Sequence, residues 1–341
     1  MSTSSAKSAP TPETAGAQLT GSRVFLTGGR GFIGSHLVAR LLGRSNTVTV
    51  FDNGRRDALA YSGLDGNSNL RSIKGDVTDR DQLAAAIGDA EYVLHLAAIA
   101  GVSSYYRMPL RTFEVNFGGT QNLLSALVGR PGVRLVLGVS TSEIYGPHAR
   151  DAREDGMTAQ GSIVDRRWVY SISKLAAEKL AYAYYWEHGL PICWIRPFNV
   201  YGPGQIGEGA ISKFVYRALR GLPLEVTGDG QQTRAFCYID DFCEAIETCL
   251  ARPDTATGQS FNIGDSREPV TMLDLARRIV ALTGNRSEIV FVPHAGQDVV
   301  DRSPSIERAA RMLDYQPRVA LDEGLRRTIE WFRDVNPGEP A

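Results

Sequence analysis

Thr27-Gly28-Gly29-Arg30-Gly31-Phe32-Ile33-Gly34 decides the reading of this 341-residue chain. An apolar run, Val24 to Leu26, precedes it, and an apolar-faced helical pattern from Phe32 to Leu42 follows. Glycines at 28, 31 and 34 permit a tight strand-to-helix turn, close backbone approach to a pyrophosphate, and close packing of helix on sheet. The free N–H groups that open the helix then face the anion. Among 35 glycines such a spacing arises by chance, so the weight lies in the order strand, turn, helix and acid.

The acid is Asp52, which ends the alternation Thr47-Val48-Thr49-Val50-Phe51-Asp52 at the position expected of a ribose-binding carboxylate. A carboxylate that accepts from both ribose hydroxyls repels a 2′-phosphate, so the expected cofactor is NAD rather than NADP. Arg55 and Arg56 follow closely and are read as a solvated loop.

Composition sets the remaining bounds. With 43% hydrophobic and 22% charged residues, the chain buries a large core and has room for about two domains or one extended α/β unit. A net charge of -1 without long charged runs gives no electrostatic case for nucleic acid or an anionic membrane. No apolar stretch approaches the roughly 20 residues that span a bilayer. Residues 1–20, rich in Ser, Thr, Ala and Pro, lack the blocks of a signal peptide and read as a disordered tail, as do 336–341. Cys193, Cys237, Cys243 and Cys249 form no CxxC pair and fit reduced core thiols in a cytoplasm; the five histidines are scattered, so no metal site is expected.

Strand patterns near 23–27, 47–52, 70–74, 91–96, 134–139 and 191–195 alternate with helix patterns near 32–43, 79–88, 109–128 and 169–188. This alternation predicts a doubly wound parallel α/β sheet, the NAD-binding Rossmann arrangement, over residues 21–200. Ligands of such sheets gather at the strands' carboxyl ends, which brings Gly28, Asp52, Ala97 and Ser140-Thr141 to one crevice. Residues 201–335 read as a smaller α/β substrate lobe, with 236–262 partly returning to the first domain. Helices are expected there near 210–220, 240–251, 270–282 and 322–335, and strands near 224–227, 260–263 and 289–292.

Tyr170 and Lys174 are four apart at the start of a predicted helix, so their side chains point the same way. An ammonium beside a phenol favours the phenolate and lowers a pKa that starts near 10, which suits proton abstraction from an alcohol. On its own Tyr-x-x-x-Lys describes many surface pairs. Its company is Ser140-Thr141-Ser142-Glu143-Ile144-Tyr145-Gly146, directly after the apolar strand Leu135 to Val139.

The glycine run, His95-Leu96-Ala97-Ala98, Asn116, the Ser/Thr strand end, Tyr170-x-x-x-Lys174, Arg196-Pro197-Phe198-Asn199-Val200-Tyr201-Gly202-Pro203 and Gln232-Thr233-Arg234 occur in order. Together they resemble the extended short-chain dehydrogenases that act as nucleotide-sugar epimerases and dehydratases. The resemblance runs from about residue 22 to 335. It implies Tyr170 as the base at a sugar C4 hydroxyl, Thr141 holding that hydroxyl, Lys174 on the nicotinamide ribose, and a retained NAD that returns its hydride. Phe32, Ile33, Asn53, Val77, Leu96, Ala97 and Ala98 are implied around the cofactor, and Asp76 at the adenine amine. Ser142, Asn199, Arg234 and Arg302 are implied around the substrate, with Asn199 at its diphosphate.

Glu143 bears on the net reaction. Simple 4-epimerases of this family carry no acid two residues after the active-site Ser/Thr, whereas dehydratases and UDP-glucuronate decarboxylases do. Thr141-Ser142-Glu143 is similar to the decarboxylase pattern and to that of GDP-mannose dehydratases, and Arg167-Trp168-Val169-Tyr170-Ser171-Ile172-Ser173-Lys174 resembles the decarboxylase region of the bacterial enzyme making the aminoarabinose precursor. The implied reaction is C4 oxidation of UDP-glucuronate followed by decarboxylation, with 4-epimerisation as the alternative and 4,6-dehydration of a neutral nucleotide hexose as a second. For Glu143 the plain alternative is a loop cap or an arginine partner. One departure stands out: Gly204-Gln205-Ile206-Gly207 occupies the place where decarboxylases and many uronate epimerases carry an arginine. Arg166, Arg167 and Arg234 are the candidates to replace it. The family's pairing of two long helices per subunit implies a homodimer, with 109–128 and 169–188 as the helices. Tyr182, Tyr184, Tyr185 and Trp186 would serve either such an interface or an internal core.

Overall fold

The glycine run folds as its spacing demands. Strand β1 (Arg23–Thr27) buries Val24, Phe25 and Leu26, the chain turns at Gly28 with φ +73°, and helix α1 (Phe32–Leu42) leaves with Leu37, Val38 and Leu41 buried at helical spacing. A Cβ on Gly28 would lie 2.6 Å from the Ala97 nitrogen, and one on Gly34 would lie 2.4 Å from the Gly28 carbonyl oxygen. Backbone atoms cannot step aside as a side-chain end does. Gly34→Ala is therefore expected to cost about 1–3 kcal/mol by overpacking, read as a lower melting temperature in calorimetry; an unchanged melt would contradict this account.

The computed structural model describes residues 18–64, 66–293 and 301–338. Most of the expected N-terminal tail and residues 339–341 of the expected C-terminal one lie outside the described residues. Strands β2 (Thr47–Asp52), β3 (Leu70–Lys74), β4 (Tyr92–His95), β5 (Leu135–Val139), β6 (Ile192–Pro197) and β7 (Gln259–Ile263) join β1 in one sheet of order β7-β6-β5-β4-β1-β2-β3. Every neighbouring pair is parallel. Helices α2 (Arg80–Ile87), α3 (Gly119–Leu127) and α4 (Val169–His188) pack into one core cluster; α1 and α5 (Ile239–Ala251) pack into the other. This is the doubly wound α/β fold expected. Strand order reverses between β1 and β4, where a crevice opens above the carboxyl ends.

The structure departs from the sequence reading in places. The single helix expected over 109–128 is Pro109–Phe113, a widened π turn at Glu114–Gly118, and then α3. The widened turn accompanies an inward-facing Asn116, whose side chain accepts from the Ile99 amide at 2.8 Å and donates to the Ile99 carbonyl and to Ser173 Oγ. Helix Val102–Arg107 lies outside the expected helices. A small sheet in the order Val270–Thr271, Thr233–Arg234, Asp301–Pro304, His148–Ala152 also went unread. Of the aromatic segment on α4, Tyr182, Tyr184 and Tyr185 pack against the core and Trp186 is exposed.

Candidate active site

A cleft of about 1080 Å³ opens at the strand-order reversal, and residues from both halves of the chain line it. Gly28, Gly31, Phe32, Ile33, Asp52, Asn53, Asp76, Val77, Leu96, Ala97 and Ala98 face it from the sheet side. Thr141, Ser142, Glu143, Tyr170, Asn199, Arg234 and Arg302 face the same space. Lys174 is buried beside the end of β5, where its ammonium donates to the Val139 carbonyl at 2.6 Å.

On the dinucleotide side, α1 starts after Gly31, and no side chain caps its first amides. A Cβ at Gly31 would meet only the Gly28 carbonyl oxygen, at 3.3 Å, so the approach to the helix start is open. Asp52 accepts from the Arg30 amide at 3.0 Å and the Gly54 amide at 2.8 Å, which fixes its carboxylate at the rim. Burial nevertheless raises its pKa. Asp76 is more occupied than the sequence implied: it accepts from the Thr78 amide and hydroxyl and pairs with Arg111 at 2.6 Å. Although burial pushes its pKa up, these donors bring it below the ordinary value. Arg55 is exposed as expected, but Arg56 is half-buried against Glu208 at 3.6 Å. Glu208, far away in sequence, takes it out of the solvated loop.

On the reacting side, Thr141 lies two residues past β5 and caps the turn Ser142–Tyr145 by accepting from the Glu143 amide at 3.2 Å. Tyr170, at the first turn of α4, has Thr141 beside its hydroxyl, and its ring stacks on Tyr105 at 5.9 Å. The expected depression of the phenol is not supplied by the chain alone. Burial raises the Tyr170 pKa and Glu143 pushes the same way, against Thr141 and Arg302. Lys174 is itself brought down to about 8 by burial, with Glu178 opposing.

Glu143 lies between two guanidinium groups, Arg167 at 2.6 Å and Arg302 at 3.3 Å. Burial alone would raise its carboxyl; the two arginines outweigh this and hold it below the ordinary value. Arg167 also donates to the Tyr105 hydroxyl at 2.8 Å. Arg302 Nε and Nη2 are buried without a hydrogen-bond partner among the described residues. Arg234 and Arg302 are register partners on adjacent strands, so both reach the cleft from one small sheet. Asn199 adopts φ +43°, a conformation asparagine tolerates, and donates to the Ala235 carbonyl at 2.7 Å. Tyr105 and Arg111 were missed in the sequence. The segment carrying Tyr105 is too short for a helical period, whereas Arg167 is legible as the residue one turn before Tyr170.

This fold and crevice define a dinucleotide-dependent enzyme. Residues 24–264 match the family described as the NAD dependent epimerase/dehydratase family, and the chain belongs to it. It is 36% identical to UDP-N-acetyl-alpha-D-glucosaminuronate decarboxylase of Bacillus cytotoxicus, over 92% of this chain and 98% of that protein. It is 34% identical to UDP-glucuronic acid decarboxylase 1 of Arabidopsis thaliana, over 92% of this chain and 70% of that one. The crystal structure of UDP-glucuronic acid 4-epimerase from Bacillus cereus, in complex with UDP-glucuronic acid and NAD, superposes with a TM-score of 0.84 at 30% identity, covering 92% of this chain and 99% of that one. NAD is the cofactor of this protein. The open start of α1, the close Gly28–Ala97 approach and the fixed Asp52 carboxylate fit it. No described helix is long and apolar enough to cross a membrane.

Proposed function

We propose that the protein oxidises C4 of a UDP-hexuronate, UDP-glucuronate foremost, decarboxylates the ketone and reduces the product on the same NAD. The observation that carries this reading is the Glu143–Arg167–Arg302 cluster. Two guanidinium groups face one carboxylate, leaving one net positive charge, and Arg302 keeps two donors unused. A C6 carboxylate matches both the charge and the donors. Arg167 and Arg302 thereby replace the arginine absent after Pro203.

In this reading Tyr170 takes the C4-hydroxyl proton, Thr141 orients that hydroxyl, and Lys174 holds the ribose and favours the phenolate. Bound NAD accepts the C4 hydride and later returns it. Oxidation at C4 makes the hexuronate a β-keto acid, so the C5–C6 bond breaks, carbon dioxide leaves, and its electron pair becomes an enolate. The arginines stabilise that charge, and Glu143, with Ser142 beside it, positions the proton delivered to C5. Asn199, Arg234 and Arg302 engage the diphosphate and the sugar's charged end. Asn53, Asp76 and Val77 hold the adenosine.

The test is product analysis by mass spectrometry after separate incubations with UDP-glucuronate, UDP-N-acetylglucosaminuronate and a neutral nucleotide hexose, UDP-glucose. Loss of carbon dioxide is expected. Unchanged mass with a new isomer identifies the 4-epimerase, a reading favoured by the superposition on the Bacillus cereus enzyme. Loss of water from a neutral nucleotide hexose identifies a dehydratase. We further place the enzyme in the cytoplasm as a homodimer paired through α3 and α4. The exposed Trp186 on α4 supports the pairing.

A further inference from the structure

Residues 203–209 leave the substrate side of the cleft and are pinned across it at three points. His36 Nε2, on α1, bonds the Pro203 carbonyl at 2.8 Å, and burial lowers its pKa. Arg56, four residues past Asp52, reaches the Ala100 carbonyl at 3.5 Å and lies against Gly207, where a Cβ would fall 2.8 Å from its Nη1. Glu208 makes the densest contact. Its carboxylate accepts from the Ser103 amide at 2.7 Å, the Ser104 amide at 3.1 Å and the Ser104 hydroxyl at 2.7 Å, with Arg56 at 3.6 Å.

The Glu208 side chain is only 6% exposed, unusual for a carboxylate on a connecting segment. Gly101 makes room for it: at φ +108°, a Cβ there would fall 2.4 Å from the Glu208 carboxyl carbon. One side chain therefore joins the segment after β2, the segment after β4 and the segment after Pro203. All three line the cleft that holds the dinucleotide.

We infer that Glu208 is a clasp that closes the cleft over NAD and sets how long the cofactor stays bound. NAD leaves when the 203–209 segment swings away, and this movement must break the carboxylate's bonds to Ser103, Ser104 and Arg56. The inference rests on NAD as cofactor and is independent of the net reaction. Glutamine in place of Glu208 removes the charge and turns one acceptor oxygen into a donor that faces other donors.

The test is the NAD dissociation rate, followed by diluting loaded protein into an NAD-consuming trap, together with NAD content per chain after gel filtration. Glu208→Gln is expected to release NAD about 10- to 100-fold faster, the range for losing hydrogen bonds to a charged group. Its turnover should fall without added NAD and recover in excess NAD. Ser104→Ala, which removes one hydroxyl bond and leaves both amides, is expected to give a smaller increase, and it carries the test alone if Glu208→Gln does not fold. Wild-type release rates in the folded variants would overturn the inference.

Discussion

Tyr170→Phe is expected to lower turnover by about 100- to 10,000-fold, the range supplied by a positioned acid–base group, while NAD and nucleotide-sugar binding stay near wild type. The substitution deletes one oxygen and keeps the ring that stacks on Tyr105 at 5.9 Å with an interplanar angle of 8°, so local packing survives. What is lost is the hydroxyl beside Thr141. Burial and Glu143 raise the Tyr170 pKa in the chain alone, so proton abstraction needs positive charge beyond the chain's own groups, which the oxidised cofactor would bring. A spectroscopic titration should accordingly find a phenolate at lower pH with NAD bound than without it, and that component should be missing in the variant. Steady-state turnover that survives Tyr170→Phe would overturn the entire assignment of catalytic roles.

Local pattern made Tyr170 and the glycine turn legible. The turn is encoded by residues adjacent in sequence, and Tyr170 and Lys174 share a helix face by spacing alone. Most of the sheet was equally readable, because β1, β2, β4, β5 and β6 are apolar runs separated by helical periods. The charge around Glu143 was not, since Arg302 is 159 residues away and reaches it through a short strand with no periodic signature. The same holds for Arg56, assigned to solvent when only its neighbours were considered and drawn inward by Glu208. The lowered phenol pKa was expected from the Lys174 charge without counting burial, which dominates in the folded chain. Spacing shows which side chains share a face; it does not weigh the medium around them.

Glu178→Gln carries the second large effect, because it joins that helix face to the sheet. Tyr170, Lys174 and Glu178 stand at successive four-residue intervals on α4. The Glu178 side chain is 3% exposed and accepts from Arg196 Nη2 at 2.7 Å and Ser260 Oγ at 2.7 Å. Arg196, on β6, also donates to the Tyr145 hydroxyl at 2.6 Å and the Glu154 carbonyl at 3.0 Å. The pair thus anchors the helix bearing Tyr170 to the strands and to the turn bearing Thr141 and Glu143. Glutamine leaves the Arg196 charge buried without its counterion, a loss of about 3–5 kcal/mol, seen as a lower denaturation midpoint. The same change reaches Lys174, whose pKa burial lowers to about 8 while Glu178 holds it up. Removing that negative charge lowers it further, so the ammonium is lost at lower pH and the alkaline limb of turnover should move down in pH. The double variant Glu178→Leu/Arg196→Met replaces both charges with apolar groups and should regain much of the stability. The shifted alkaline limb should persist in it, because Lys174 still lacks its negative neighbour. A limb that returned with stability would mean that Glu178 acts on turnover only by holding the fold.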